Sequence, residues 1–581
     1  MLTRLRVRNF KCFGDIDVPL DTPVVFVGPN NSGKTTALQA LVLWEVGLRF
    51  WNSRRGGRAS PEKRPGVTIN RRDLTQIPVP VAKLLWRSTD VRRVTRSNGR
   101  QSTRNIRIDV IVDGITKNRE WSCGLEFDYS NEESLVCRPL RLAGHAEDPV
   151  HTTKFSEVPP EALNVRLALL PPMSGLMATE PKWEIGRINV LVGEGQTAQV
   201  IRNLCHYVYE LDGDHKEWTE LQRQIKGLFG ATLFPPTYLA ERGEIQMQYR
   251  DHTGATLDLS SAGRGLLQTL LLFAHMYTNP GSVLLIDEPD AHLEILRQRQ
   301  TFNLIVDLAA KRGSQIIVAT HSEVVMNEAA GHGTVVAFVG APHKLNDRGS
   351  QAAKALTDIG WDQYYQAQQT GWVLYLEGPT DLAILQSLAE VAGHRAAALL
   401  ERPFVHYVAT NLPAKAREHF YAIREAKADL LGLAVFDRIE KDLRAEGRLT
   451  ETMWTRRELE NYLCSEAVLL EWARAGQGDD LFGRADAAER EQAMRDAIVT
   501  VTKALQDLGR PSPWSPDVKA SDDVLDPIFR RFSRTLGQRL ALRKSDYHLL
   551  ARHVRAEDVD ADVIRVLDQV VAVAAGARPA A

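Results

Sequence analysis

No two of the five cysteines in this chain stand in a CxxC pair. Cys12, Cys123, Cys137, Cys205 and Cys464 are scattered, which disfavours a zinc knuckle or a disulfide framework and suits a reducing compartment. Net charge is nearly absent: 72 Lys and Arg against 73 Asp and Glu leave a formal charge of −1, so any site for a polyanion must be a local patch. No uninterrupted apolar run reaches the length of a membrane span. The opening MLTRLRVRNFKCFGD lacks the apolar core of a signal peptide, so a cytoplasmic protein with no membrane attachment is expected. What remains is an ordinary globular composition, 44% hydrophobic and 25% charged, over 581 residues, more than one core usually supports.

The first half carries a phosphate-binding pattern. LTRLRVRNF alternates apolar and basic residues, the period of a half-buried strand. TPVVFVGPNNSGKTTALQALVLW then predicts a strand, a tight loop and a helix. Gly28, Gly33, Lys34 and Thr35 fit G-x-x-x-x-G-K-[ST], with Asn30, Asn31, Ser32 and Thr36 completing the loop and the helix start. Glycines let backbone N–H groups close on phosphate oxygens, the lysine reaches the β and γ phosphates, and the hydroxyl holds Mg²⁺. Further along, SVLLIDEPDAHLE is a buried strand ending in Asp287, which would support Mg²⁺, and Glu288, which would polarise the attacking water. SQIIVATHSEVV is another buried strand, ending in His321. Upstream, Ser260, Ser261 and Gly263 in LDLSSAGRGLLQTLLLFA are expected to open a helix, an anion-binding geometry.

In this order the motifs resemble those of the ABC-type ATPases of the SMC, RecF and OLD (overcoming lysogenization defect) group, over roughly residues 1–340. The resemblance implies that LSSAGRG is a signature motif acting in trans on the nucleotide of a second protomer. It implies that His321 senses the γ-phosphate, and that head-to-head dimerisation belongs to the mechanism. The basic stretches NSRRGGRASPEKRPGV and RSTDVRRVTRSNGRQSTRNIR read as solvated loops and a hairpin in preference to a DNA-backbone patch. A helix from Gln196 is expected within an insertion of about 150–235 that packs against a neighbouring protomer.

From about residue 365 the pattern restarts as strand, helix, strand, helix, strand: GWVLYLEG, TDLAILQSLAEVAG, FVHYVAT, LPAKAREHFYAIREAKAD and LLGLAVFD. Such alternation predicts a parallel α/β unit, with ligands at the carboxyl ends of its strands. Glu377 and Asp437 stand at two such ends, and Asp381 falls in the first turn of the helix after Glu377. Converging carboxylates repel unless a cation lies between them, and oxygen-only donors suit Mg²⁺ or Mn²⁺.

LEGPTD followed by VFD looks like a Toprim domain, and with the ATPase in front the whole chain most resembles an OLD-family nuclease, in particular the Gabija-type anti-phage nucleases. The resemblance implies an ABC-type ATPase domain over 1–365, a smaller parallel Toprim domain over 366–510, and a helical C-terminal region over 511–581 that completes the nuclease site. It assigns Glu377, Asp381 and Asp437 to metal, and Glu460 to a second metal beside Glu458 at the start of a helix. Lys544, in a Lys-Ser-Asp segment on a basic helix, would stabilise phosphate charge, and Asp522 is a further metal candidate. The pattern breaks at Ile439, where D-x-D needs an acid; Glu440 and Asp442 are close but out of phase. ATP, divalent metal, DNA, a homodimer or tetramer and a helicase-like protein encoded nearby are the implied cofactors and partners. The rival readings are an ATPase scaffold that cuts nothing, a Toprim RNase acting on transfer RNA, and, least favoured, a RecF-like repair ATPase.

Overall fold

The computed structural model describes residues 1–20, 22–56, 66–97, 100–141, 155–345, 360–408, 410–440, 443, 447–475, 481–537 and 542–579. Most of the NSRRGGRASPEKRPGV stretch, and Asp442, lie outside these residues. The chain divides into two compact units, Met1–Gly349 and Ser350–Ala581.

In the first unit the alternating opening forms strand Leu2–Phe10. It belongs to a six-stranded sheet ordered Phe13–Pro19, Leu2–Phe10, Ile108–Thr116, Arg119–Asn131, Ser134–Pro139, Val67–Asn70, with every neighbour pair antiparallel. Its apolar positions Leu2, Leu5 and Val7 turn inward while the arginines between them face water, as period-two patterning requires. The second sheet is ordered Leu167–Leu170, Val283–Asp287, Gln315–Thr320, Val24–Val27, Thr334–Ala337, His343–Lys344. It is parallel except at its last strand. Its central strands are buried along their whole length, which is why they read as unbroken runs such as VLLID and VVFV. Helix Lys34–Arg55 packs against strands of both sheets and buries Trp44 and Trp51. The Gln315 side chain stitches the sheets together: its amide donates to Leu2 O (2.8 Å) and Leu20 O (2.9 Å) and accepts from Leu2 N (2.7 Å).

RRVTRS and RQSTRN pair as a two-stranded hairpin, Arg92–Ser97 with Arg100–Asn105. In the expected insertion the helix begins later than Gln196. A 3₁₀ turn, Thr197–Gln199, comes first and the α-helix runs Ile201–Glu210, because the Gln199 amide bonds back to Gln196 and holds the tighter turn.

The second unit has a four-stranded parallel sheet ordered Val405–Tyr407, Trp372–Leu376, Leu431–Phe436, Leu449–Met453. One face carries the larger core, built with helices Pro379–Val391, Glu466–Arg474, Asp526–Thr535 and Ala561–Gly576. The other face carries a smaller core with helices Trp361–Thr370 and Pro413–Ala426. Two covered faces leave the strand ends as the place where polar groups reach solvent. Among the described residues, no helix is long and apolar enough to cross a membrane.

Candidate functional sites

Strand Val24–Val27 leads into the loop and helix Lys34–Arg55, and the loop bends where its glycines allow. Gly33 has φ +101°, and a Cβ there would lie 2.6 Å from the Phe13 ring. Gly33→Ala is therefore expected to strain the backbone and displace Phe13, lowering stability by about 1–3 kcal/mol and weakening nucleotide binding. Differential scanning calorimetry with and without ATP checks both effects.

The Lys34 ammonium is buried and donates to the carbonyls of Gly28 (2.7 Å) and Pro29 (2.9 Å), while burial pushes its pKa down. Thr35 Oγ1 donates to Asp287 Oδ2 at 2.8 Å, which links the loop to the acidic strand end. Burial first, and then the Glu288 charge, push the Asp287 carboxyl up to about 6. Glu288 sits in the left-handed region at φ 51°, and its carboxylate lies 3.4 Å from His321 Nδ1. The loop residues from Asn30 to Thr36, together with Glu288, Lys11 and Cys12, line one cavity of about 710 Å³.

Lys11 and Cys12 were not among the sequence candidates. Their signal lies in the turn between the first two strands, which no local motif connects to the loop. Asp290 and Thr320 were missed as well. Thr320 Oγ1 donates to Asp290 Oδ1 at 2.5 Å and accepts from Ser322 N at 2.9 Å, bracing the segment that carries His321.

The serines expected to open a helix do not. Leu259–Ser261 is a 3₁₀ turn, and the α-helix starts at Arg264 with Gly263 as its cap. The cause is local: Asp258 Oδ1 accepts both the Ser260 amide (2.9 Å) and its hydroxyl (2.6 Å), which favours a turn over a helix. Gly263 lines a separate cavity of about 400 Å³, with His252, His292 and Arg297.

In the second unit, Glu377 follows strand Trp372–Leu376 and Asp437 follows strand Leu431–Phe436, so the two acids stand at adjacent strand ends of one sheet. Asp381 lies in the first turn of helix Pro379–Val391, where its Oδ2 accepts from the amides of Glu377 (3.0 Å) and Gly378 (3.2 Å). Those two bonds cap the helix and aim the carboxylate back at the strand end. Burial, and after it the Glu377 charge, still push Asp381 up to about 6. Asp437 is pushed up to about 7 by burial, then by Glu377 and Asp381. Asn411 opposes that shift: its Nδ2 approaches Asp437 Oδ2 at 3.4 Å, and its Oδ1 accepts from Asp437 N at 3.1 Å. Glu460 rises to about 8, from burial first, then Glu458, Asp381 and Asp437.

Carboxylates from three separate stretches of chain thus perturb one another. Asp381 and Asp437, with Glu377, come from the sheet, and Glu458 and Glu460 from a later turn. That turn is a 3₁₀ segment, Leu459–Tyr462, and not the start of the expected helix; the helix runs Glu466–Arg474 from a Ser465 cap. Its tightness has a physical cause. Asn461 Oδ1 accepts from Glu458 N (3.0 Å), Asn461 Nδ2 donates to Val518 O (3.0 Å), and Ser521 N donates to Glu458 Oε1.

Ile439 packs against the smaller core and Glu440 is exposed. Lys544 opens a 3₁₀ segment, Lys544–His553, rather than riding on an α-helix, and it pairs with Asp522. Asp522 is exposed and bound by Lys519 as well, and these pairings hold its pKa below the ordinary carboxylate value.

Among the described residues, no three His, Cys, Asp or Glu side chains stand close enough to form a ready-made metal cage. The donor chemistry fits a hard divalent ion: the acids are oxygen donors only, four of them (Asp381, Asp437, Glu458 and Glu460) are substantially buried with raised pKa, and among the described residues no Lys or Arg pairs with Glu377, Asp381, Asp437, Glu458 or Glu460 within 4.0 Å.

With both sites described, comparison with known proteins adds the following. A family model described as an AAA domain, putative AbiEii toxin of a type IV toxin–antitoxin system, matches residues 205–327, and an AAA ATPase domain model matches residues 1–47. An OLD nuclease from Thermus scotoductus is 24% identical over 340 residues, spanning 56% of this chain and 59% of that protein. The chain is similar to this OLD nuclease over part of its length. Its first unit is a P-loop ATPase domain, and the match to the OLD nuclease takes in less than two thirds of that relative's length. The SMC head domain from Thermotoga maritima, 17% identical, covers 59% of this chain and 98% of its own length at a TM-score of 0.31. The Smc head domain from Pyrococcus furiosus, bound to the C-terminal domain of ScpA, is 13% identical with a TM-score of 0.32, covering 62% and 99%. Superpositions as loose as these carry nothing about function.

Proposed function

We propose that this protein is an ATP-regulated, divalent-metal-dependent DNA endonuclease whose second unit is a Toprim domain completed by its C-terminal helical region. The observation that carries the reading is that Glu377 and Asp437 follow adjacent strands of one sheet, that Asp381 in the next helical turn and Glu460 in a later 3₁₀ turn raise or are raised by the same charges, and that none of them pairs with a lysine or arginine among the described residues. Uncompensated buried carboxylates are costly, and a site that keeps several of them is one whose counter-ion arrives from solution.

Glu377, Asp381, Asp437, Glu458 and Glu460 would hold Mg²⁺ or Mn²⁺; Asp522, whose two oxygens are taken by Lys519 and Lys544, is left out of that donor set. Metal bound there would activate water for in-line attack on a phosphodiester and neutralise the developing charge. Asp381, fixed by two backbone amides, keeps one oxygen directed at the strand ends. Asn411 holds Asp437 from both its amide and its carboxylate, so the side chain keeps its orientation. Lys544 donates to the phosphate as charge builds on it.

In the first unit the residues from Gly28 to Thr36, with Asp287, bind ATP and Mg²⁺, and Glu288 and His321 face the γ-phosphate. Dimerisation would bring Ser260, Ser261 and Gly263 of a second copy to that nucleotide. ATP occupancy would then gate DNA access to the carboxylate site, in a cytoplasmic anti-phage role together with a helicase-like partner.

Ile439 favours a second reading, a scaffold that binds partners and cuts nothing, because it occupies the place of one metal-binding acid. Purified protein incubated with plasmid and Mg²⁺ or Mn²⁺, without nucleotide, separates the two. Nicking that is lost in Glu377→Ala is the expected result. Persistent absence of nicking supports the scaffold, and preferential cleavage of labelled transfer RNA over DNA points to an RNase.

A further inference from the structure

Lys519 was not a sequence candidate, and its place in the fold gives it a use. It lies at the junction where the extended chain meets the π-helical turn Ala520–Leu525, for which it is the cap residue. That junction is tied to the turn carrying Glu458 and Glu460. Arg457 N donates to Pro516 O (2.9 Å), Asn461 Nδ2 donates to Val518 O (3.0 Å), and Ser521 N donates to Glu458 Oε1. Lys519 therefore cannot drift from the acids without breaking bonds on both sides of it.

Its ammonium pairs with Asp522 Oδ2 at 2.6 Å, and Lys544 pairs with Asp522 Oδ1, so one exposed carboxylate holds two lysines, one per oxygen. Lys519 and Lys544 are 47% and 51% exposed, so both can be reached from solvent. The Lys519 charge is stabilised by Asp522 first, and then by Glu458 and Glu377, which puts it within electrostatic reach of both parts of the acidic corner.

A phosphodiester is an anion, and a corner of five carboxylates repels it. Bound metal offsets that repulsion only at the metal. A backbone lying across the corner needs cations at the rim as well, where its flanking phosphates pass. Two solvent-accessible ammonium groups parked on one exposed acid meet that need. Exposed ion pairs contribute little to stability, so both lysines can exchange Asp522 for phosphate at small cost.

We propose that Lys519 is a second phosphate-holding residue of the carboxylate site, paired with Lys544, and that Asp522 stores both ammonium groups until a nucleic-acid backbone takes them. The proposal rests on the nuclease reading above and adds to it a residue in direct contact with substrate.

The test uses the full chain with a labelled duplex and Mn²⁺, comparing wild type with Lys519→Ala, Lys519→Arg and, as a remote control, Lys503→Ala on the exposed face of helix Leu481–Asp507. Lys519→Ala is expected to lower the cleavage rate at limiting DNA about 100-fold. It should also reduce the slope of log affinity against log salt by about one. Mn²⁺ affinity measured by calorimetry should stay within about twofold of wild type, since Lys519 holds no metal, and this also reports that the site is folded. Lys519→Arg should recover most of the rate, and Lys503→Ala should match wild type. Cleavage and salt slope in Lys519→Ala equal to wild type would overturn the proposal. So would a loss of rate accompanied by an equal loss of Mn²⁺ affinity, because that marks a structural role. A wild-type protein that binds Mn²⁺ but cuts nothing would overturn the nuclease reading beneath it instead.

Discussion

Asp437→Asn is expected to abolish metal-dependent strand cleavage and, in the same protein, to raise the melting temperature of the metal-free chain. The two effects have one origin. Burial and the neighbouring charges of Glu377 and Asp381 raise the Asp437 carboxyl from its ordinary 3.8 to about 7, so at pH 8 the fold carries a charge it would rather not hold. Each pH unit of such a shift corresponds to about 1.4 kcal/mol, which puts a ceiling of about 4 kcal/mol on the penalty. Relaxation and sharing of charge among coupled acids reduce it, and about 2 kcal/mol is the expected gain on neutralisation. The amide keeps the shape, loses the charge and cannot replace a carboxylate at a divalent ion, so cleavage should fall by at least about 1,000-fold.

The same shifts fix the pH dependence. A group whose folded pKa lies above its unfolded value stabilises the fold when protonated, and that contribution is lost as pH rises through the folded pKa. With Asp381 near 6, Asp437 near 7 and Glu460 near 8 against ordinary values near 4, the metal-free chain should melt progressively lower from about pH 4.5, most steeply up to about pH 6, and level off by about pH 8.5. Saturating Mn²⁺ should flatten that slope, because the ion takes the place of the protons. Thermal unfolding in EDTA and in Mn²⁺ at several pH values measures both. A wild-type slope that Asp437→Asn and Mn²⁺ leave untouched would mean that the acids are not a coupled metal site.

The parts of this protein legible in the sequence are those whose signal is local. The phosphate loop is a short run with glycine where the backbone turns left-handed, and nothing distant has to be known to see it. The buried strands ending in Asp287, Glu377 and Asp437 are equally local, because strands covered on both faces read as apolar runs and their first acid marks the end. WTRRELENYLCSEAVLLEWA reads as a turn and an amphipathic helix with Glu458 and Glu460 at its start, whereas both acids lie in a 3₁₀ turn ahead of that helix. The competing bonds, from Asn461 to Val518 O and from Ser521 to Glu458, come from more than fifty residues away. Asn411 and Lys519 have no local signature at all. Each matters through a partner brought close by the fold, Asp437 for one and Asp522 with the turn at Glu458 for the other. Lys11 and Cys12 enter the nucleotide cavity only because the turn at the end of the first strand lies over Gly33.

Lys34→Ala should remove ATP binding while leaving the metal affinity of the second unit unchanged. Lys34 is buried, and its ammonium has two carbonyl acceptors, Gly28 O and Pro29 O, and three carboxylates, Asp287, Glu288 and Asp290, stabilising its charge. When the phosphates arrive, the ammonium exchanges the loop carbonyls for phosphate oxygens, and each hydrogen bond between charged groups is worth about 1.5–3 kcal/mol. Alanine removes that gain and also exposes the incoming phosphates to the carboxylates that Lys34 had offset. A loss of at least about 100-fold in affinity, or ~3 kcal/mol, follows. Fluorescent-nucleotide titration measures it, and Lys34→Arg should not restore binding, because the larger planar head cannot occupy the space of the buried ammonium. The variant also tests the regulatory half of the proposed function. If ATP controls cleavage through this loop, Lys34→Ala must cut DNA at the nucleotide-free rate of the wild type at every ATP concentration, whether ATP speeds or slows the parent enzyme. Cleavage that still responds to ATP after the loop has lost its affinity would place the control at some other site, and the gating of DNA access by nucleotide at this loop would have to be withdrawn.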